Sequence, residues 1–311
     1  MVVEDVPRPG LGAGQVRIRV RVAAVNHPDV LLVAGDYQLD APVPFTPGSE
    51  FAGVVIEVGR EVEGFGSGDR VFGTVFVGAF AEEVVVDAAA LTPVPDGISD
   101  AVAAAFGVAH RTAFHVLRSV ARVQAGERLV VLGAGGGVGL AAVQLGAVLG
   151  AEVTAVASSP EKLDVAAEHG ASHLIDHRSD DLRLALREVH SDGTDVVLDP
   201  VGGALAEPAL RSLHWGGRFV TVGYASGEIP RIPLNLVLLK GIHVLGFQFL
   251  TFVQHAPDEL ARNEAELLQL LAEGRATPYI GATHPLDEVV GALRRVADGS
   301  AVGKVLVTVD S

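Results

Sequence analysis

The sequence predicts an α/β protein built from a small β domain followed by a doubly wound parallel sheet. Three observations carry that expectation. Gln15–Val25 alternates polar and apolar residues, strands and helices alternate strictly from Arg128 onward, and a glycine-rich loop joins the first of those strands to its helix.

In QVRIRVRVAAV (Gln15–Val25) the two-residue period is that of a half-buried strand, and Phe51–Val58 continues in β-rich fashion. Gly35, Pro42, Pro44, Pro47 and Gly48 mark turns between them, and GSGDRVFGTVF and AEEVVVDAAALTPVPDG add further short strands. The texture changes at Asp100, where DAVAAAFGVAHRTAFHVLRSV has helical spacing and an acidic start. RLVVLG, EVTAVAS, HLIDH, DVVLDPV, GRFVTVGY and HVLGFQF then read as six strands. Helices are expected between the first five at Val138–Leu149, Pro160–His169, Ser179–Val189 and Ala204–Leu213, and an extended stretch at Ile229–Leu239 leads into the sixth. Such a βαβ series implies a parallel sheet covered on both faces. Beyond Phe252, a helix at Pro257–Glu273, a helix at Leu286–Ala297 and a strand KVLVTV are too little for a third core and are expected to return to the β domain. The predicted division is 1–107, 108–250 and 251–311.

Composition narrows the function. Of 311 residues, 23 are Lys or Arg and 38 are Asp or Glu, a formal charge of -15, so nucleic acid and anionic membrane are poor partners. The chain contains no cysteine, which excludes disulfides, a thiolate nucleophile and cysteine-ligated zinc. Leu129–Gly150 and Ile232–Phe252 are apolar but interrupted by glycine, polar groups or lysine, and read as αβ core rather than membrane spans. The opening MVVEDVPRPG is acidic and proline-bearing, so no secretory signal and a soluble cytoplasmic protein are expected.

The strand–loop–helix GERLVVLGAGGGVGLAAVQLGAVLG carries glycines at 133, 135, 136, 137 and 139, more than a plain tight turn requires. Residues without side chains let a backbone approach a pyrophosphate, and the opening of the helix adds unpaired N–H groups and positive dipole. The spacing fits G-x-x-G-x-x-G through Gly133, Gly136 and Gly139, with Gly137 and Val138 opening the helix, and points to a dinucleotide. Further on, where a carboxylate would hold the ribose of NAD, the chain reads ASSPEK. Ser158, Ser159, Lys162 and Arg178 stand there instead, a set suited to a 2′-phosphate, so NADP(H) is expected over NAD, with His177 a further cofactor candidate. The plain reading of Lys162 is a solvated helix lysine, but the chain has only three lysines (162, 240 and 304).

GDRV (68–71), PDGIS (95–99), GGVG followed by Gln144, DPVGG (199–203), WGGRFVTVGYASGEIPRIPLN (215–235) and a terminal VGKVLV together resemble the quinone oxidoreductase branch of the medium-chain dehydrogenases/reductases, over nearly the whole chain. The resemblance implies a GroES-like β domain, a six-stranded Rossmann domain, an active site in the cleft between them, and homodimers or homotetramers joined through the Rossmann sheet edge. Relatives open with a further strand ahead of the segment matching MVVEDVPRP. In zinc-dependent relatives a cysteine, a histidine and a second cysteine bind the catalytic metal, and the matching places here are Asn26, Ser49 and approximately Val108, so no metal is expected. His27, His110 and Glu50 are the remaining candidates for a nitrogen and oxygen site, set aside because three ligands must converge and be supported.

Without a metal, negative charge arising on the hydride acceptor needs hydrogen-bond donors. The resemblance places Asn26 and Tyr37 at polar positions lining the nicotinamide site, as catalytic candidates. Asn26 or His27, ahead of Pro28 and Asp29, also suits a helix N-cap, and Tyr37 a loop anchor. Thr112 matches a position beside the cofactor, whereas Arg111 reads best as an ion-pair partner. Gly223, Tyr224, Phe247 and Phe249 end the fifth and sixth strands, the edge where open αβ sheets bind ligands, with buried core as the other reading for both phenylalanines. The resemblance brings Lys304 towards the cofactor phosphates, the alternative being an exposed edge-strand lysine.

The expected function is metal-free transfer of hydride from NADPH to a quinone or electron-poor enone. Reduction of an enoyl thioester is the second reading, disfavoured by the acidic balance, which offers no basic rim for a CoA. A nucleotide-binding structural or regulatory protein without turnover is the third, disfavoured by the polar Asn26 and Tyr37.

Overall fold

The computed structural model describes residues 1–309. In chain order the first strands and helices are β1 (Gln15–Val25), α1 (His27–Ala34), β2 (Glu50–Val58), β3 (Arg70–Thr74), β4 (Glu83–Asp87), β5 (Leu91–Pro93) and α2 (Asp100–Ala104). There follow α3 (Ala109–His115), β6 (Arg128–Leu132), α4 (Gly137–Val148), β7 (Glu152–Ala157), α5 (Pro160–Glu168), β8 (His173–Asp176), α6 (Leu182–Val189), β9 (Thr194–Asp199) and α7 (Ala206–Ser212). The chain closes with β10 (Leu213–Thr221), α8 (Leu234–Lys240), β11 (His243–Gly246), α9 (Phe249–His255), α10 (Pro257–Ala272), β12 (Ile280–Pro285), α11 (Val289–Ala297) and β13 (Lys304–Thr308). It divides into two compact units, Met1–Val108 with the segment from Thr277 onward, and Ala109–Ala276.

In the first unit the alternation of β1 buries Val16, Ile18 and Val20 completely. Their face packs with Phe51, Val55, Val84, Val305, Val307 and with Val289, Ala292 and Leu293 of α11. The sheet order is β12-β13-β1-β2-β3-β5, with β4 also paired to β1. The returning strand β13 is therefore interior, antiparallel to β1 and parallel to β12.

The second unit is a six-stranded sheet in the order β11-β10-β9-β6-β7-β8, all of its pairs parallel. The order reverses between β6 and β9, which makes the carboxyl ends of those two strands the crevice where open αβ sheets bind ligands. Val130, Leu132, Val156, Val197 and Phe219 fill one face against Leu186 of α6 and Leu210 of α7.

Three expectations need correction. Ile229–Leu239 is not wholly extended: α8 begins after Pro233 and ends on Gly241 in the left-handed region at φ 57°, a start and stop that the proline-rich run concealed. The long helix expected from Asp100 is interrupted after α2, where Gly107 packs close to Thr74 and Glu50, and the tail of α3 widens into a π turn at Val116–Val120. The chain also leaves the second unit at Ala276 rather than at 251, because α10 is tied to α3 through Glu264 with Arg111 and Asn263 with His115. Among the described residues no helix is long and apolar enough to cross a membrane.

Candidate active site

Two groups of residues matter, one in each unit. In the first, Asn26 follows β1 directly, holds extended backbone and caps α1, with Pro28 in the first turn. Asp29 completes the cap by accepting the Asn26 N–H at 2.8 Å. The Asn26 side chain looks the other way. Its Oδ1 accepts from Lys304 Nζ at 2.6 Å, and its Nδ2 donates to Glu50 Oε2 at 3.0 Å and to the Ala24 carbonyl at 3.3 Å, with Ser49 Oγ at 3.4 Å. Lys304 Nζ donates also to Glu50 Oε2 at 2.9 Å, and the second Glu50 oxygen takes the Val108 N–H at 2.7 Å. Asn26, Asp29, Glu50 and Lys304 are exposed by only 7%, 2%, 1% and 4%.

This arrangement bears on two expectations. Both amide hydrogens of Asn26 have acceptors inside the cluster. Lys304 is not an exposed edge lysine: β13 is interior, and its ammonium is held by Asn26 and Glu50. The places matched to zinc ligands do converge, yet they offer an amide, a hydroxyl and a backbone N–H around an ammonium, which is no donor set for zinc. His110 lies in the second unit, where Nε2 meets Gln144 Oε1 at 3.1 Å, and among the described residues no three His, Asp or Glu side chains are arranged to hold a metal.

Two carboxylates share this dry cluster with one ammonium. Burial pushes the Asp29 carboxyl from 3.8 up to about 6, against the hydrogen bonds from the Asn26 N–H and Ser49 and the attraction of Lys304. Tyr37, half-buried just past the Gly35 cap of α1, has its phenol raised by burial and then by the charge of Asp29. It keeps its proton at neutral pH and shares an electrostatic environment with Asp29.

In the second unit β6 runs into Gly133, whose φ of 62° lies in the left-handed region. A side chain at Gly139 would collide with the Gly133 carbonyl, so the first turn of α4 sits directly on the loop. No side chain caps α4, and the N–H groups of Gly137, Val138 and Gly139 have no intrahelical acceptor. With Gly136 at the N-cap, these N–H groups are left to acceptors from outside the helix, the arrangement that favours an anion at a helix start.

At the carboxyl end of β7, Ser159 caps α5 by accepting the Lys162 N–H at 3.4 Å, and Lys162 Nζ reaches Ser158 Oγ at 3.3 Å. The His177 N–H donates to the Ala157 carbonyl at 3.1 Å, fixing the end of β8 alongside. Burial, then the positive charges of Arg178 and Lys162, keep the His177 imidazole low. The four residues expected around a 2′-phosphate, and His177 with them, are thus gathered at two adjacent strand ends.

At the end of β9, Asp199 is wholly buried, and one of its oxygens takes the Val201 and Gly202 N–H groups at 2.8 Å each. That clamp holds Val201 against Gly133, where a side chain would come within 2.7 Å of Val201 Cγ2. Gly223 and Tyr224 follow β10, and the Tyr224 ring packs close to Gly202. Phe247 is buried against Phe249 and Phe252, which supports its core reading. Phe249 lies under the Arg111 guanidinium at 4.8 Å, and Arg111 pairs with Glu264 at 2.7 Å, the ion-pair reading of that residue. Fully buried His115 joins them, with Nε2 2.9 Å from Glu264 and Asn263 donating to Nδ1 at 3.1 Å. Thr112 is half-buried on the same helix.

Residues 12–96 match the alcohol dehydrogenase GroES-like domain and residues 137–272 the zinc-binding dehydrogenase family. The quinone oxidoreductase-like protein 2 of Bos taurus is 38% identical over 99% of this chain and 89% of its own length. The chain belongs to the zinc-independent quinone oxidoreductase branch of the medium-chain dehydrogenases/reductases. Among solved members, Escherichia coli quinone oxidoreductase complexed with NADPH superposes with a TM-score of 0.90 at 26% identity, covering 98% of this chain and 94% of that one. A segment forming 13% of the spectinabilin polyketide synthase system protein NorB of Streptomyces orinoci is 37% identical over 96% of this chain.

For a member of this branch, the residues that sequence reading missed are those whose partners are distant. Glu50 entered only as a conceivable metal ligand. The available signal was a lysine in the apolar strand KVLVTV, since a buried ammonium requires a carboxylate. Asp199 was legible only as part of DPVGG, and the link from His115 to Glu264 had no local sign.

Proposed function

We propose that this protein transfers hydride from NADPH to a quinone or other electron-poor enone without a metal. The observation that carries the cofactor is the group Ser158, Ser159, Lys162, His177 and Arg178 at the ends of β7 and β8, where an NAD-binding site would carry an acid. The related E. coli enzyme solved with NADPH supports the same reading. Gly133, Gly136, Gly137, Val138 and Gly139 take the pyrophosphate, while Gly223 and Tyr224 border the nicotinamide with Thr112 nearby. When bound, the reduced nicotinamide supplies the hydride. Tyr37 holds the proton that completes the reduction, and the amide, hydroxyl and ammonium around Asn26 replace a metal's donor set.

Initial rates of NADPH oxidation with a panel of quinones, enones and crotonyl-CoA test the proposal. Quinones and enones should turn over, with rates unchanged after dialysis against a strong chelator. Faster turnover of crotonyl-CoA would favour the enoyl-thioester reading, for which the likeness to a polyketide synthase segment speaks. No NADPH oxidation with any member of the panel would leave a nucleotide-binding protein without turnover. Tyr37→Phe should slow the enone more than the quinone, by less than the roughly 2.7 to 4 kcal/mol of a lost oxyanion donor. Equal slowing with both, together with a fall in melting temperature, would mark Tyr37 as a loop anchor.

The assembly we infer is a homodimer through β11. That strand is the sheet edge, and beside it Leu234, Leu238 and Leu239 are exposed by 79%, 78% and 70%. Light scattering should give twice the 32.2 kDa of the chain, falling to one chain in Leu238→Glu. A wild-type monomer at micromolar concentration refutes it.

A further inference from the structure

We propose that Lys304, rather than Asn26, supplies the hydrogen bond that meets negative charge on the acceptor, and that Asn26 and Glu50 are its positioning residues. The inference rests on the reductase reading above. Its first ground is a count of donors. Asn26 has two amide hydrogens, and Glu50 Oε2 at 3.0 Å and the Ala24 carbonyl at 3.3 Å take both. An ammonium has three N–H bonds. Asn26 Oδ1 at 2.6 Å and Glu50 Oε2 at 2.9 Å account for two of them, and among the described residues the third is the one strong donor of the cluster with no acceptor inside it.

The second ground is orientation. Lys304, Asn26 and Glu50 form a closed triangle in which the ammonium and the amide share one carboxylate oxygen. Turning the amide over would set its NH2 against the ammonium, so only one arrangement is satisfied. The Val108 N–H on the other Glu50 oxygen fixes the carboxylate in turn, so the ammonium is held in place before any acceptor arrives.

The third ground is charge. Asp29 and Glu50 are both buried, and without the ammonium they would repel the negative charge that hydride transfer places on a carbonyl or quinone oxygen. Lys304 cancels Glu50 and bonds Asn26, while Asn26 reaches Ser49 and Glu50 takes the Val108 N–H; Asn26, Ser49 and Val108 are the positions matched to the ligands of a metal cation. A fixed ammonium there polarises the acceptor oxygen while leaving it nothing to ligate. In the overall step a C–H bond of the reduced nicotinamide would break as the C–H bond to the acceptor forms, the acceptor oxygen takes the electron pair, and Tyr37 gives it the proton, to be reprotonated from water.

The test compares Lys304→Met/Glu50→Gln, which removes the buried pair without stranding a charge, with Lys304→Arg and the wild type. The double variant should keep its melting temperature and its NADPH affinity and lose about a hundredfold in kcat with an enone, while Lys304→Arg recovers part of the loss. An unchanged kcat in a folded double variant would reduce Lys304 to a structural ion pair. A tenfold weaker NADPH with normal kcat at saturation would return it to the cofactor phosphates. A second measurement needs neither turnover nor a variant that folds: 4-nitrophenol bound to the wild-type protein with NADP+ should ionise at lower pH than in free solution, seen by its absorbance. No such shift would overturn the proposal, whereas a shift without turnover of any acceptor would leave it standing and sink the reductase reading alone.

Discussion

Asp29→Asn should stabilise the protein at pH 7 by up to about 3 kcal/mol. The carboxyl is raised from 3.8 to about 6, chiefly by burial, and at about 1.4 kcal/mol per pH unit that displacement is the free energy of keeping it ionised in the fold. Because the folded value lies above the unfolded one, the native state binds more protons between about pH 4 and pH 6. Stability therefore falls as pH rises through that window and is level above it. Asparagine can still accept the Asn26 N–H and so preserves the cap on α1, but it has no such decline. Urea unfolding at several pH values should show the two proteins converging near pH 4 and separated above pH 6. A difference that does not vary with pH would mean that the gain comes from packing. The same substitution should lower the Tyr37 phenol, since the charge of Asp29 is one of the two causes that raise it.

Lys162→Ala should weaken NADPH more than about tenfold and leave NADH nearly unchanged. A charge-assisted contact to phosphate is worth about 1.5 to 3 kcal/mol, and about 1.4 kcal/mol is a factor of ten. The turn of α5 sets Lys162 Nζ beside Ser158, as the proposed contact requires. Its stem also packs over Gly135, where a side chain would lie 2.5 Å from the Lys162 carbons. Truncation could thus disturb the loop for both cofactors, and Lys162→Met separates the effects by keeping the stem and removing the charge. Fluorescence titration of each variant with NADPH and NADH is decisive: equal losses for the two cofactors would show that the loop, and not the 2′-phosphate, has been affected. The NADPH advantage should also shrink with added salt, as screening requires.

What could be read along the chain was whatever a short stretch decides for itself. The period of two in Gln15–Val25, the glycines from 133 to 139 and the serines where an acid is expected are each complete within a few residues, because backbone geometry, helix dipoles and close approach act locally. The six parallel strands were legible for the same reason, each βαβ unit announcing its own strand and helix. The places where reading failed were long-range. Helix α8 lay hidden in a proline-bearing stretch that reads as extended, and α10 was assigned to the β domain because its tie to Arg111 crosses 153 residues.

By itself, then, the sequence determined the two-unit α/β architecture, the dinucleotide loop and the absence of any cysteine ligand for zinc. Tertiary structure decided the polar site. Lys304 meets Glu50 and Asn26 across 254 and 278 residues only because β13 inserts beside β1, and nothing within KVLVTV indicates which carboxylate its lysine will find. Burial then set the chemistry: in a dry cluster every hydrogen bond must be assigned, and that requirement turned the amide of Asn26 inward and left the ammonium of Lys304 with a bond to give.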